Sequence, residues 1–237
     1  MMIRLIAILC VLLAASPVEA GTRALFNGTS DPKELLVEVS DDGAVRVGTP
    51  GRDEYGLLLG DQFYLVAPKD GKIQVARVAD MAAAFDKVMP PIFKDLFGAA
   101  GDKMKFVPLK AVKTGTKTVA GIQGDIWSVK GMNDEKPDEP TLIVVSNDPR
   151  LAPIGRALSA FFETGMIMMR PFLGDATVSM VKQNRQLFAL GTPIESADRF
   201  TLIKLETADF GKDRFTLPAK PATVAEIVAG IKVTPTN

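Results

Sequence analysis

The side chains that most often carry chemistry are scarce in this chain. It has no histidine and one cysteine, Cys10. Without histidine there is no ordinary general base near neutral pH and no common zinc or haem ligand, and neither a Ser-His-Asp nor a Cys-His arrangement can be assembled. An enzyme built from these residues has to use carboxylates, lysine, tyrosine or a Ser-Lys pair. One pair of short motifs offers the last. Ser179-Met180-Val181-Lys182 matches S-x-x-K and Lys113-Thr114-Gly115 matches K-T-G, two elements of penicillin-recognising serine enzymes. In those enzymes S-x-x-K comes first, at a helix start, and K-T-G later, on a strand. Here the order is reversed and Ser179 falls in a stretch that reads as a strand. Patterns this short recur by chance, so the chain is expected to be no enzyme, with no catalytic residue and no cofactor.

The remaining polar clusters read as structure. Asn133 to Pro140 is acidic, but it lacks the alternating Asp/Asn spacing and central glycine of an EF-hand and reads as a solvated loop, so no metal site is expected. Asp41-Asp42-Gly43 and Lys69-Asp70-Gly71 read as hairpin turns. No P-loop and no G-x-G-x-x-G occurs. Phe161-Phe162 with Met166, Met168 and Met169 has more functional content, because methionine is flexible and polarisable and suits variable apolar partners. It reads either as core packing at a helix end or as the lining of an apolar pocket between helix and sheet.

The first twenty residues set the expected compartment. Arg4, an apolar run from Leu5 to Ala15 and Ser16-Pro17-Val18-Glu19-Ala20 have the form of a secretory signal peptide. Cleavage is expected after Ala20, leaving residues 21–237 as a single exported, periplasmic domain. Cys10 lies inside the leader, so no thiol or disulfide is expected in the exported chain. Beyond Ala20 no run reaches the ~18 to 20 apolar residues of a membrane helix, so no transmembrane segment is expected. The chain carries 28 basic and 28 acidic residues, and losing Arg4 and Glu19 keeps the balance. Nucleic-acid binding is not suggested.

The elements that would position any site read as an antiparallel meander with helices. Strands are expected at Ala24 to Gly28, Glu34 to Ser40 and Ala44 to Gly48. Glu54 to Leu59, Gln62 to Val66 and Lys72 to Val78 follow, leading into a helix from Ala79 whose apolar stripe is Met81, Phe85, Val88 and Met89, with Asp80 and Lys87 towards solvent. Leu57 to Leu59 and Phe63 to Val66 are apolar on both parities, which a sheet wetted on one face would not be. This part is therefore expected to be covered on both sides. A second short helix is expected at Ile92 to Phe97 after Pro90-Pro91. Further strands are expected at Met104 to Leu109, Ala111 to Ala120, Asp125 to Lys130 and Thr141 to Ser146. Asn147-Asp148 and Pro149 start a helix with Leu151, Ile154, Leu158, Phe161 and Phe162 inward and Arg156, Ser159 and Glu163 on the opposite face. Two strands are then expected at Ala176 to Lys182 and Gln186 to Thr192, a long strand at Arg199 to Thr207, a docking segment at Phe215 to Pro218 and a helix at Ala222 to Ile231. The class is α+β, with about ten strands in a strongly curved antiparallel sheet covered by a few helices.

The hairpin-meander-helix opening, Thr116-Lys117-Thr118-Val119-Ala120-Gly121 followed by Trp127-Ser128-Val129, and Asp213-Arg214-Phe215-Thr216-Leu217-Pro218 together resemble the outer-membrane lipoprotein carrier (Lol-type) superfamily of periplasmic half-barrels. The likeness is nearer to its secreted, uncharacterised relatives than to the carriers proper. It implies a half-barrel whose concave face is covered by helices, enclosing an apolar cavity that in the carriers accepts acyl chains.

Two functions stay open at this level. One is a non-enzymatic periplasmic protein that binds a lipid, acyl chain or other apolar ligand between sheet and helices, with Phe63, Leu65, Val75, Phe85, Trp127, Val129, Leu142, Val144, Phe161 and Met166 as its lining. The other is an envelope protein-interaction or scaffold module with a filled core, using sheet edges or the Asn133 to Pro140 loop. A serine hydrolase using Ser179 and Lys182 ranks third.

Overall fold

The computed structural model describes residues 19–29, 33–92, 107–132, 136–196 and 199–231. The leader before Glu19, most of the short helix expected after Ile92, residues 104–106 of the strand expected at Met104 to Leu109 and residues 133–135 of the acidic loop lie outside them, and residues 107–109 are not in a strand. Eleven antiparallel strands form one open, curved sheet. They are β1 (Glu19–Gly28), β2 (Glu34–Ser40), β3 (Val45–Gly48), β4 (Tyr55–Leu59), β5 (Gln62–Lys69), β6 (Lys72–Arg77), β7 (Lys110–Val119), β8 (Ile122–Lys130), β9 (Thr141–Ser146), β10 (Thr192–Ser196) and β11 (Phe200–Phe210). The spatial order is β6-β5-β4-β3-β2-β1-β11-β10-β9-β8-β7. Two meanders therefore meet where the first described strand pairs with the last, over a register from Glu19 opposite Phe210 to Gly28 opposite Phe200.

The turns follow from their residues. Asp70-Gly71 and Ala120-Gly121 both have positive φ, the backbone of a two-residue hairpin whose twist matches that of its strands. Glycine takes that conformation freely, whereas Ala120 adopts it against its own preference.

The apolar residues of both parities are covered on both faces, as their pattern requires. On one face Val37, Val39, Val47, Leu58 and Phe63 join the main core under the helices. On the other, Leu57, Val66 and Val75 pack with Phe210 and Phe215. The second cover is the chain end itself: after a 3-10 turn at Lys212–Phe215, the Phe215 ring stands edge-on to Phe210 at 5.1 Å, with Leu217 beside it.

The described helices are α1 (Val78–Val88), α2 (Ala152–Leu173), α3 (Ala176–Phe188) and α4 (Val224–Gly230). The Asp148 side chain accepts a hydrogen bond from the Arg150 backbone N–H across a 3-10 turn at Pro149–Leu151, and α2 begins only after it. It then runs past Gly165 and through Pro171, closing where the Gly174 N–H bonds the Arg170 carbonyl with φ +52° at Gly174. α1 buries Val78 and Ala84 most deeply, with Met81, Phe85 and Val88 half-buried. Asp80 does not point freely to solvent: it accepts from Arg77 Nε and Nη2 at 2.9 and 2.7 Å.

One expectation is overturned. Residues 176–192 hold no pair of strands: 176–188 form α3. The stretch contains β-branched residues, but its exposed positions 178, 182, 185 and 189 recur at helical spacing, with buried or half-buried residues between them. Helical propensity alone would not settle it; packing on α2 does. Asn184 Nδ2 donates to Ser159 Oγ at 3.0 Å, and Arg185 Nη2 donates to Glu163 Oε2 at 2.6 Å.

At Gly56 on β4 a methyl group would come within 2.5 Å of the Phe63 ring. Gly56→Ala is expected to destabilise the protein by about 1–3 kcal/mol, read as a lower denaturant midpoint at unchanged m-value.

Candidate functional site

The space between sheet and α2 is the place to look for an apolar site, and where α2 begins it is filled. Leu151, Ile154 and Ala157 are at most 2% exposed and belong to one packed cluster with Ala24, Val37, Val144 and Ile194. At Gly155 the helix lies so close that a Cβ would fall 2.2 Å from Thr192 Oγ1, and that hydroxyl donates to the Leu151 carbonyl at 3.2 Å. One helical turn beyond Ala157, the Phe161 ring stands edge-on to Phe63 at 5.1 Å, in the room left by Gly56. Close packing of this kind leaves no width for an acyl chain at these points.

The ten residues expected to form a lining divide among separate places. Phe63, Leu65, Val144 and Phe161 share the main core. Val75 lies on the opposite face with Leu57 and Phe210. Trp127 and Val129 pack with Ile143, Val145, Leu187 and Leu190 beneath α3. Phe85 meets Phe172 edge-on at 6.2 Å, near the end of α2, and Met166 is half-buried on that helix. Leu142 is 51% exposed. These ten do not converge on one surface, because alternate residues of a strand point to opposite faces.

The sequence reading missed a charged cluster. Glu38, in the middle of β2, is 1% exposed and faces away from α2. Register sets Arg23 of β1 on one side of it and Arg46 of β3 on the other. Arg23 Nε and Nη2 reach Oε1 at 2.9 and 2.8 Å. Arg214, from the 3-10 turn after β11, reaches Oε2 with Nε and Nη2 at 2.7 and 2.6 Å. Arg46 Nε stands 3.9 Å from Oε2, its guanidinium stacked 3.2 Å over the Tyr55 ring. A buried carboxylate needs such partners, since desolvating it alone would be prohibitive. The cluster thereby ties the chain end to the sheet. Its local half was legible: with the turn at Asp41-Asp42-Gly43, Glu38 falls opposite Arg46. Arg214 is 176 residues from Glu38, and no local pattern announces it.

The Ser-Lys elements gain a different context without gaining a site. Ser179 stands on a helix, correcting the strand assignment, and is half-buried, with Lys182 exposed. Lys113 does lie on a strand, where its Nζ is held by Asp125 at 2.8 Å. Among titratable groups, the Arg185 guanidinium holds the Glu163 carboxyl below its ordinary value. Arg150 holds half-buried Asp148 at about 2. Both act as ties rather than as acids or bases.

No protein-family model matches the chain, and no curated protein matches it. Among solved structures it is similar to MucB in complex with MucA(peri), at 14% identity and TM-score 0.31, over 84% of this chain and 55% of that one. It is also similar to the Pseudomonas aeruginosa MucA/MucB complex, at 14% identity and TM-score 0.30, over 84% of this chain and 56% of that one. The chain thus spans about half the length of the chains it matches. Similarity this loose carries no argument about fold or function.

Two outcomes follow from the ion pairs. Glu38→Ala leaves three guanidinium groups without their common partner. Because Arg23 and Arg214 are about one-third exposed, the expected loss lies at the low end of the ~3–5 kcal/mol for breaking a buried pair, measured by denaturant unfolding. Arg214→Ala should speed chymotryptic cleavage after Phe215. The Glu163 carboxyl titrates below its unfolded value of 4.5, so its contribution is present above that pH and is lost as pH falls through the folded value. Arg185→Ala should therefore flatten the fall in stability below pH 4.5, measured by thermal unfolding across an acid series.

Proposed function

We propose that this chain is a non-enzymatic envelope module that meets another protein through its sheet surface, with its interior filled by its own side chains. The observation that carries this reading is the seat of α2: Gly155 pressed on Thr192 and Phe161 interlocked with Phe63. A carrier of acyl chains needs a void or a detachable cover at that place. The interior here is closed by packed rings and small residues instead. The leader expected in residues 1–20 would carry the module to the periplasm. The Lol-type resemblance enters as a likeness of architecture, without the carriers' cargo. Absence of histidine and the tie between Lys113 and Asp125 support a role without catalysis.

A second reading keeps the apolar ligand and rests on the other end of α2. There Phe162, Met166, Met169 and Phe172 are half-buried and Ile167 is 47% exposed, and methionine-rich surfaces adapt to varied apolar partners.

The two readings separate by ligand uptake. Protein exported in its own host is expected to show the same mass before and after delipidation by native mass spectrometry, and no saturable enhancement of cis-parinaric acid fluorescence. A retained lipid mass, or saturable uptake abolished by Phe161→Ala, would overturn the filled-core reading in favour of the second.

A further inference from the structure

The sheet has two edges, and they are treated differently. At the β6 edge the chain supplies its own neighbour: the Ala222 N–H donates to the Val75 carbonyl at 2.8 Å, and Ala222 bridges Ala76 in parallel. β7, ten residues long, forms the other edge. Among the described residues no strand pairs with its outer side. Exposed edge lysines ordinarily deter pairing, and two lysines of β7 are already engaged, Lys113 by Asp125 at 2.8 Å and Lys117 by Glu195 at 2.6 Å. Lys110 differs. Register places it directly opposite Lys130 of β8, both are exposed, and neither has a carboxylate partner among the described residues. Like charges directly opposed across a strand pair are destabilising.

The neighbouring row is apolar and open. Two residues along, on the same face, Val112 lies opposite Ser128 and Ser128 opposite Leu142, with Val112 64% and Leu142 51% exposed. This is the face whose further rows carry Ile126 and Val144 into the core, so Leu142 belongs to an outer patch and not to the interior. An edge with unpaired backbone groups, an opposed pair of lysines and an apolar row two residues away together describe a strand-docking surface. The geometry points to β7 as the docking edge for an extended acidic segment of a partner protein. The segment adds as a twelfth strand, with a carboxylate beside Lys110 and Lys130 and, two residues away, an aliphatic side chain beside Val112. Charge complementarity favours an acidic strand, and a strand uses the open backbone edge, which an acyl chain cannot.

This inference rests on the interaction reading above and can be tested apart from it. The probe is a short fluorescein-labelled peptide of sequence Thr-Glu-Thr-Val-Thr-Glu-Thr-Val, compared with its Lys-for-Glu counterpart and with phosphatidylglycerol vesicles, by fluorescence anisotropy and co-sedimentation. Wild-type protein should bind the acidic peptide saturably and more weakly as salt rises. Lys110→Glu combined with Lys130→Glu should weaken it by about tenfold or more and gain binding of the lysine peptide. Val112→Asp should weaken the acidic peptide as well. These positions are exposed, and an unchanged thermal midpoint checks that each variant is folded. No saturable binding, equal binding of both peptides, or lysine-dependent binding of vesicles with none of peptide would overturn the proposal. Should the peptide fail while fatty-acid uptake also stays absent, the edge is lost and the filled-core module stands; fatty-acid uptake overturns that module reading as well.

Discussion

The pairing of β1 with β11 is the interaction on which the rest depends. The first half of the chain forms its meander from neighbouring hairpins and the second joins β9 to β10 across α2 and α3, but the two become one sheet only where the first described strand meets the last along ten aligned positions. Such non-local pairing carries loop-closure entropy before any contact compensates for it. Once made, it sets Glu206 beside Arg23, whose other neighbour Glu38 comes from the β1–β2 pairing, and brings the segment after β11 within reach of the sheet. The central pairing and the Glu38 cluster are therefore two aspects of one constraint: the strands align the charges, and the charges hold the segment that follows β11.

That segment solves a problem set by composition. Strands β4 to β6 are apolar on both faces, and one layer of helices can cover only one. α2, with α1 beside it over β5 and β6, takes the first face; Phe215 and Leu217 take the second. A sheet so covered behaves as the middle layer of a sandwich whose outer layers are unlike. The helix is continuous and self-supporting, whereas the strap is short, with proline at 218 and 221, and depends on Arg214 and Phe215 as anchors.

The same economy decides how the functional readings weigh. Small residues at Gly56 and Gly155 let rings and helix approach closely, which favours density over a cavity. An interior committed to packing leaves recognition to the periphery. There the two sheet edges differ, one joined by the chain itself and the other lined with lysines, of which only some are neutralised.

The strand-turn-strand rhythm from Glu34 to Arg77, the helix after it, the β9 strand and the two-sided cover were all legible, because hairpins and amphipathic periods are local and each carries its own signal. The miss at 176–188 has a physical reason: its apolar residues fit periods of both 2 and 3.6 over short windows, and only the α2 surface discriminated. The residues expected to line a ligand site are dispersed for a related reason. Nine of the ten apolar residues are buried or half-buried, as their type suggests, but face, and hence company, depends on strand register and bulges, such as that at Lys113/Gly115. Leu142 shows the consequence, being apolar and in the most hydrophobic strand yet half in water. By itself, then, the sequence determined the class, most of the elements, the turns and the absence of histidine chemistry, since these rest on residue type and short-range pattern. Tertiary structure alone decided which faces meet, that Glu38 is gripped by a residue from the far end of the chain, and which edge stays open, since these depend on contacts between segments that no local pattern specifies.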